Sequence, residues 1–177
     1  MGKGTIKQIK ARQVLDSNGR PVAEVDVITQ GGYIGRAGAS TGSSVGANES
    51  FVLRDGDPKC FGGKSVYKAI ENIETILAPA LIGMEVEDQA GIDKAMIDLD
   101  GTRYKTKLGG NAIFAISVAV LRASAAAKEQ PLHIAMAQDA LRAMTVPASN
   151  VVNGGVYQDK TLAFQEFMLV PHSVDTI

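Results

Sequence analysis

The sequence has little cysteine, almost no net charge and no long apolar run. Because Cys60 is the only cysteine, no intramolecular disulfide can form, which fits a reducing compartment. Eighteen Lys and Arg against nineteen Asp and Glu give a net charge of −1, so charge favours neither nucleic acid nor an anionic membrane surface as a partner. The richest apolar run, 112–121, contains Ser117 and falls short of the roughly 20 residues of a membrane span. No apolar leader follows Met1, so we expect a cytoplasmic protein without a membrane partner.

The first part of the chain alternates as a β-sheet does. Residues 5–36 have a period of two, with opposite faces formed by Val22, Glu24, Asp26 and Ile28 and by Ala23, Val25, Val27 and Thr29. A turn at 30–33 then separates two antiparallel strands. The next stretch, 37–63, is rich in glycine and lacks periodicity. A loop of this length in a compact domain is more often functional than inert.

Helical patterns follow the loop in four segments. Apolar residues recur at three- and four-residue spacing within them. The predicted helices are 64–77, ended by Pro79; one from an Asp88 cap to Gly101; one from an Asn111 cap to about residue 128; and 132–141. The third is apolar on most faces, so we expect it at the centre of the domain. A sheet followed by helices predicts an α+β fold.

Two short apolar runs, 146–152 and 164–170, have strand length and are bounded by Pro and Gly. The second run carries the adjacent pair Gln165 and Glu166, which its apolar neighbours predict to be buried. Neighbours in a strand point to opposite faces, so only one of them can face a barrel interior unless the strand end curls. A buried Glu without a partner is costly, which favours a site at the end of the strand. A structural salt bridge to this Glu remains the alternative.

Four ordered motifs carry a family resemblance. They are the opening strand pair at 9–27, Gly38-Ala-Ser-Thr-Gly42, Leu53-Arg-Asp-Gly-Asp57, and Lys107-Leu-Gly-Gly-Asn-Ala-Ile113 with one Gly for the usual Ala. Together with the two terminal runs they resemble enolase, the lyase that dehydrates 2-phosphoglycerate to phosphoenolpyruvate. The resemblance implies an enolase-like amino-terminal capping domain at 1–140. It also implies the incomplete start of a truncated TIM-like barrel at 141–177.

The resemblance implies site residues as well. Ser40 matches the serine of a mobile loop that closes over the substrate and gives oxygen ligands to a second Mg²⁺, a hard cation that prefers oxygen. Gln165 and Glu166 match residues that contact the substrate, and Glu166 helps to organise the acid side of the reaction. Tyr157 stands where the family has a His near the substrate phosphate, and a tyrosine donates a hydrogen bond but supplies no cation near neutral pH. Mg²⁺ and a small phosphorylated substrate are thus the implied ligands.

Other features depart from the family pattern or carry no chemistry. Arg36-Ala37 stands where the family has Pro-Ser, and the link at 43–48 is longer than usual. His133 is expected to be structural, and its spacing from His172 is not that of metal ligands. No Lys follows Gly42, which argues against a P-loop for nucleotides and leaves a flexible surface loop as the plain alternative.

Enolase chemistry needs more than these residues supply. The family's base lysine and main metal carboxylates lie on later strands of a barrel that takes about 250 residues, so we expect no turnover by this chain alone. Two barrel strands with open edges also predict instability unless something covers them. Three interpretations stay open: part of an enolase-family lyase, one half of a split enolase completed by a partner chain, and a non-catalytic enolase-like binding or dimerisation module. A homodimer is an expectation inherited from the family.

Overall fold

The computed structural model describes residues 2–42, 46–137, 145–155 and 162–171. The chain divides into two compact units, Met1–Gln138 and Asp139–Ile177. Every buried apolar side chain among the described residues belongs to the first unit. The hydrophobic core is therefore a property of that unit.

An antiparallel sheet of three strands opens the first unit. The strands are β1 (Ile6–Leu15), β2 (Pro21–Thr29) and β3 (Ile34–Gly38), with β2 in the middle. Val27 of β2 lies opposite Ile9 on one side and Gly35 on the other. The predicted alternation is confirmed, because Val25 and Val27 are fully buried whereas Glu24, on the other face of β2, is only half-buried.

Helices complete the first unit. After a 3₁₀ turn at Phe61–Gly63 come α1 (Tyr67–Asn72), a π-helical turn (Ile73–Leu77), α2 (Ala78–Leu81), α3 (Gln89–Asp100), α4 (Gly110–Ala127) and α5 (Leu132–Ala137). The predicted central helix is α4, which packs against β2, β3 and α3. The rest of the predicted fourth helix, beyond Ala137, lies outside the described residues. A sheet followed by helices is the α+β arrangement that the sequence predicts.

β3 passes very close to α4 at Gly35. A Cβ atom on this glycine would lie 2.0 Å from the carbonyl oxygen of Ala119 and 2.3 Å from the backbone nitrogen of Ala123. Both alanines are fully buried. Small residues on both elements thus set the distance between helix and sheet.

Pro79 does not end the first helical run, contrary to the prediction. The run continues from Tyr67 to Leu81 through the π-helical turn, and Pro79 lies in the first turn of α2. Proline is tolerated there because a first-turn N–H group has no α-helical partner, and the π-helical turn has already shifted the bonding pattern. The run ends before Gly83, whose φ of 92° is left-handed.

Asp88 and Asn111, both predicted as helix caps, have different roles. Asp88 accepts a hydrogen bond from an amide in the first turn of α3, and Gly101 with φ 67° ends that helix, as predicted. The predicted cap at Asn111 is wrong, because Gly109 with φ 97° occupies the cap position and Asn111 lies inside α4. Its side-chain amide is instead bonded to the backbone of Leu53.

α4 is long and apolar enough to cross a membrane when judged by length and composition alone. A count of consecutive apolar residues does not detect this property, because Ser117 and Arg122 interrupt the run. The helix has a mean hydropathy of 1.5, and 61% of it is buried within the protein. Burial of this extent against a sheet is what the core helix of a folded domain shows, so the apolar surface of α4 is explained by packing.

The second unit contains a β-hairpin. β4 (Ser149–Asn153) and β5 (Glu166–Leu169) overlap the two predicted runs and pair antiparallel. Ser149 lies opposite Leu169, and Asn153 lies opposite Glu166. All side chains of both strands are exposed.

Candidate functional site

An open cleft of about 210 Å³ lies in the first unit, between the glycine-rich loop and the start of α4. The side chains that line it include Ser40, Thr41, Glu49, Ser50, Asn111 and Phe114. Hydroxyl, amide and carboxylate oxygens therefore face one space. This arrangement suits a small polar ligand.

The end of β3 delivers the glycine-rich loop to the cleft. The backbone nitrogen of Ala39 donates to the carbonyl oxygen of Ala23 at 2.9 Å, which continues the pairing with β2 one residue beyond β3. Ala39 is 3% exposed, whereas Ser40 is exposed. An anchored residue is thus followed directly by the predicted metal-binding serine.

The wall opposite the loop is tied to the start of α4. The Oδ1 atom of Asn111 accepts from the backbone nitrogen of Leu53 at 3.0 Å, and its Nδ2 donates to the Leu53 carbonyl at 3.2 Å. The backbone nitrogen of Gly110 donates to the carbonyl of Phe51 at 2.7 Å. Gly110 has no room for a side chain, since a Cβ would lie 2.3 Å from Ser50 Oγ. These contacts fix the wall of the cleft, and the Asn111 side chain takes part in them instead of capping α4.

The acidic motif that follows this wall connects the cleft to the first helix. The Asp55 carboxylate accepts from the backbone nitrogens of Tyr67 at 3.0 Å and Lys68 at 2.8 Å, at the start of α1. Carboxylates stabilise helix starts in this way. The preceding residue, Arg54, reaches back to the glycine-rich loop and donates to Thr41 Oγ1 at 3.2 Å.

Four charged groups cluster on the sheet face opposite α4, close to the stem of the loop. Asp26 accepts from Arg36 Nε at 2.6 Å and from Arg12 Nη1 at 2.8 Å, and Arg12 also pairs with Glu24 at 2.6 Å. Hydrogen bonds from Arg36 and Arg12 hold the pKa of Asp26 well below its usual range, and the bond from Arg36 has the larger effect. Arg36, which departs from the family pattern, lies opposite Asp26 in the sheet register. Although Arg36 departs from the family pattern, it therefore has an ion-pair partner on the neighbouring strand, β2.

The residues of the cleft fit a supporting role toward Mg²⁺. Within the described ranges, no three His, Cys, Asp or Glu side chains come together as a metal site. Oxygen donors at the cleft are Ser40, its hydroxyl neighbours and Glu49, whose carboxylate accepts from the Gly46 nitrogen at 2.7 Å. Mg²⁺ commonly keeps waters and takes one or two carboxylates plus substrate phosphate. The cleft therefore fits a Mg²⁺ ion that receives most of its ligands from groups outside the cleft.

The predicted site residues are spread over both units. Gln165 and Glu166 lie at the start of β5 in the second unit, where the Gln165 carbonyl accepts from the backbone nitrogen of Gly154 at 2.8 Å. The predicted burial of the pair is wrong: both are exposed, because no covering layer lies over β5 among the described residues. Nor does Glu166 have an ion-pair partner in that part of the chain. Tyr157 lies outside the described residues.

His133 is not among the residues that line the cleft. His133 lies on α5 and is exposed, so no buried structural role is visible for it. His172 lies outside the described residues. Sequence reasoning missed Glu49 and Asn111 as cleft residues, and the only signal for Asn111 was an amide side chain at the start of an otherwise apolar helix.

Comparison with known families gives two matches. A family model described as the enolase N-terminal domain matches residues 6–136. A second, described as the enolase C-terminal TIM barrel domain, matches residues 141–177. The first match includes the sheet, the glycine-rich loop, every residue that lines the cleft and the helices up to α5. The second includes the hairpin.

Proposed function

The chain belongs to the enolase family, and from this premise we propose that it serves the Mg²⁺-dependent dehydration of 2-phosphoglycerate to phosphoenolpyruvate, a lyase reaction of glycolysis and gluconeogenesis. One observation carries the proposal: Ser40 follows an anchored strand end and faces a cleft lined by oxygen donors. That is the place a loop serine needs in order to assist a metal-bound phosphorylated substrate. The cytoplasm is the compartment we propose.

Each site residue has its own part in this proposal. Ser40 would be a residue that offers an oxygen ligand to a Mg²⁺ ion. When bound, the ion supplies positive charge against the carboxylate and phosphate of the substrate. Gln165 and Glu166 contact the substrate, and Glu166 serves the acid side of the reaction. Tyr157 donates a hydrogen bond to the substrate in place of the family's His.

The remaining groups come from elsewhere in the barrel. A base lysine and the principal metal carboxylates are expected on strands that the match at 141–177 does not reach. Their source in this proposal is either a continuation of the same polypeptide or a partner chain, and the assembled protein is a homodimer or such a completed complex. Residues 1–177 contribute the capping domain and the first part of the barrel.

Turnover with a supplied barrel tests the proposal. The chain is mixed with a polypeptide that carries the remaining barrel of a family member, together with Mg²⁺ and 2-phosphoglycerate, and phosphoenolpyruvate is followed by its ultraviolet absorbance. We expect product from the mixture and from neither polypeptide alone. A single-chain fusion of the two serves as a second format if they do not assemble. A folded fusion that forms no product contradicts the proposal.

Two substitutions then test the assigned roles. Glu166→Gln should lower the turnover rate by about 100-fold or more, since positioned acid–base groups contribute that much. Ser40→Ala should raise the Mg²⁺ concentration needed for half-maximal turnover. Glu87→Gln is the matched control, because Glu87 is an exposed carboxylate outside the cleft that pairs with Lys128 at 3.3 Å. Undiminished turnover by Glu166→Gln would remove that residue from the mechanism.

A non-catalytic binding or dimerisation module is the second candidate. Tyr157 favours it, because a phosphate site loses a cation at that position. The substitution Tyr157→His separates the two candidates in the barrel-completed protein. Under the lyase proposal it should retain or raise turnover of 2-phosphoglycerate. Under the module proposal neither the tyrosine nor the histidine form turns over, although both bind the supplied barrel.

A further inference from the structure

Arg54 joins three separate segments of the first unit beside the cleft. Its Nη1 atom donates to the carbonyl oxygens of Pro21 at 2.8 Å and Lys64 at 2.5 Å, and its Nη2 atom donates to Thr41 Oγ1 at 3.2 Å. Pro21 begins β2, Lys64 precedes α1, and Thr41 belongs to the glycine-rich loop. A planar guanidinium holds several acceptors in one fixed geometry, which the single nitrogen of a lysine does not.

The hydrogen bonds of Arg54 go to neutral oxygens. No carboxylate pairs with it among the described residues. Burial is the largest cause that lowers the pKa of Arg54, and the positive charge of Arg20 adds to it, whereas the negative charge of Asp16 has a smaller effect in the opposite direction. A half-buried cation is costly unless its hydrogen bonds are well made. The arrangement is therefore that of a side chain used to hold chain segments in place.

Ser40 lies between two anchored residues. On one side, Ala39 is fixed to β2 by its bond to the carbonyl of Ala23 at 2.9 Å. On the other, the Thr41 hydroxyl accepts from Arg54. Ser40 itself is exposed toward the cleft. The two anchors hold the backbone on either side of Ser40, and no described residue forms a hydrogen bond with its side chain.

We propose that Arg54 is a positioning residue, which fixes the stem of the glycine-rich loop through Thr41 and so sets the place of Ser40. The effect on loop order is independent of the reaction. The effect on catalysis rests on the proposed function. Thr41 is therefore a positioning residue as well, since it transmits the contact.

Amide hydrogen exchange in the full chain tests the effect on the loop. Thr41→Val removes the hydroxyl and keeps the shape, Thr41→Ser keeps the hydroxyl, and Arg54→Lys keeps the charge without the fork. We expect exchange at the Ala39 amide to rise about tenfold in Thr41→Val and Arg54→Lys, because a hydrogen bond from a charged donor is lost. Thr41→Ser should keep the original rate. The amides of β2 should not change in Thr41→Val, which leaves the bond from Arg54 to the Pro21 carbonyl in place.

Two results would overturn the positioning role. One is an unchanged Ala39 exchange rate in Thr41→Val. The other is an equal rise at Ala39 and throughout β2, since the contact would then support the whole fold and not the loop stem. Either result is readable in a protein that has no catalytic activity.

Kinetics of the barrel-completed enzyme test the catalytic consequence. Thr41→Val and Arg54→Lys should each raise the Mg²⁺ concentration for half-maximal turnover about tenfold, because both remove the hydrogen bond between Arg54 and Thr41. Faster Ala39 exchange without turnover in any completed form supports the positioning role and contradicts the lyase proposal. Normal turnover with original exchange and Mg²⁺ dependence in Thr41→Val supports the lyase proposal and contradicts the positioning role.

Discussion

The two units contain antiparallel strands of similar kind but bury their side chains very differently. In the first unit, α4 lies over β2 and β3, and Val25 and Val27 are fully buried. In the second, Phe164 is 71% exposed and Phe167 is 43% exposed. The two rings contact each other edge to face with centroids 5.8 Å apart, and the described residues place nothing over them. An apolar strand pattern becomes a core only where a second layer covers it.

This difference in burial means that the first unit is stable by itself, whereas the hairpin of the second unit depends on a covering layer. The first unit has a continuous hydrophobic cluster that extends from Ile6 to Ala123. An isolated two-stranded hairpin is marginal in water, and an exposed apolar patch marks a surface that another layer normally covers. We therefore expect the first unit to carry the free energy of unfolding and the hairpin to depend on a barrel.

The largest loss of stability should come from Gly35→Ala, because the added methyl group pushes α4 away from the sheet of the first unit. A Cβ atom there would lie 2.0 Å from the backbone oxygen of Ala119. Backbone atoms on a packed helix cannot move aside easily, so we expect a loss of about 3 kcal/mol in the free energy of unfolding. Denaturant unfolding followed by circular dichroism measures it.

Gly38→Ala is the matched control on the same strand. Its Cβ would meet only the carbonyl oxygen of Ala23, at 3.9 Å, and its φ is not left-handed. We expect a change within about 0.5 kcal/mol. Equal losses for the two substitutions would contradict the close contact between β3 and α4.

A smaller effect should come from Asp26→Asn on the sheet face opposite α4. The Asp26 side chain is 10% exposed and holds two arginines. Its replacement should cost about 2 kcal/mol near neutral pH, because two charge-assisted hydrogen-bond sets are weakened. Asp98→Asn is the control, since the Lys94–Asp98 pair has side chains that are 73% and 61% exposed and is worth at most about 0.5 kcal/mol.

The pH dependence of this difference has a definite sign. The pKa of Asp26 is lowered in the folded protein, so its stabilising contribution is complete above the unfolded pKa of about 3.9 and is lost as the pH falls toward the folded value. The stability gap between the original protein and Asp26→Asn should therefore narrow in acid. Denaturant unfolding at several pH values measures the gap, and a gap that widens as the pH falls would contradict the ion cluster.

The smallest effect on stability should come from Phe164→Ser in the second unit. Because the ring is largely exposed, its loss should change the free energy of unfolding by less than about 0.5 kcal/mol. The same change should reduce self-association at high concentration, which light scattering measures, because it removes part of an apolar patch. A cooperative loss of stability instead would mean that the ring belongs to a core.

Local signals in the sequence predicted the parts of the fold that depend on near neighbours. The alternation along β2 gave the buried face, and Asp88 with Gly101 gave both ends of α3, because caps act within a few residues. Pro79 misled the prediction, since the π-helical turn before it depends on packing and not on a local pattern. A proline alone does not show whether a preceding π-helical turn has shifted the hydrogen-bonding pattern of the helix.

Contacts between distant residues could not be predicted in the same way. Asparagine is a common helix-capping residue, yet the Asn111 side chain forms its hydrogen bonds with Leu53, which lies 58 residues earlier in the chain. Arg54 belongs to a motif that the family resemblance identified, but its contact with Thr41 requires the folded loop. The burial of Gln165 and Glu166 was predicted from apolar neighbours, whereas burial depends on a covering layer that no strand pattern supplies.

The most direct test of this account is amide hydrogen exchange of the full chain before and after the remaining barrel is supplied. We predict that the amides of β2 and α4 are protected in both states. The amides of β4 and β5 should exchange rapidly in the chain alone and become protected when the barrel is present. Strong protection of β4 and β5 in the chain alone, or none in a complex that has formed, would contradict the claim that the first unit is stable by itself whereas the hairpin needs to be covered.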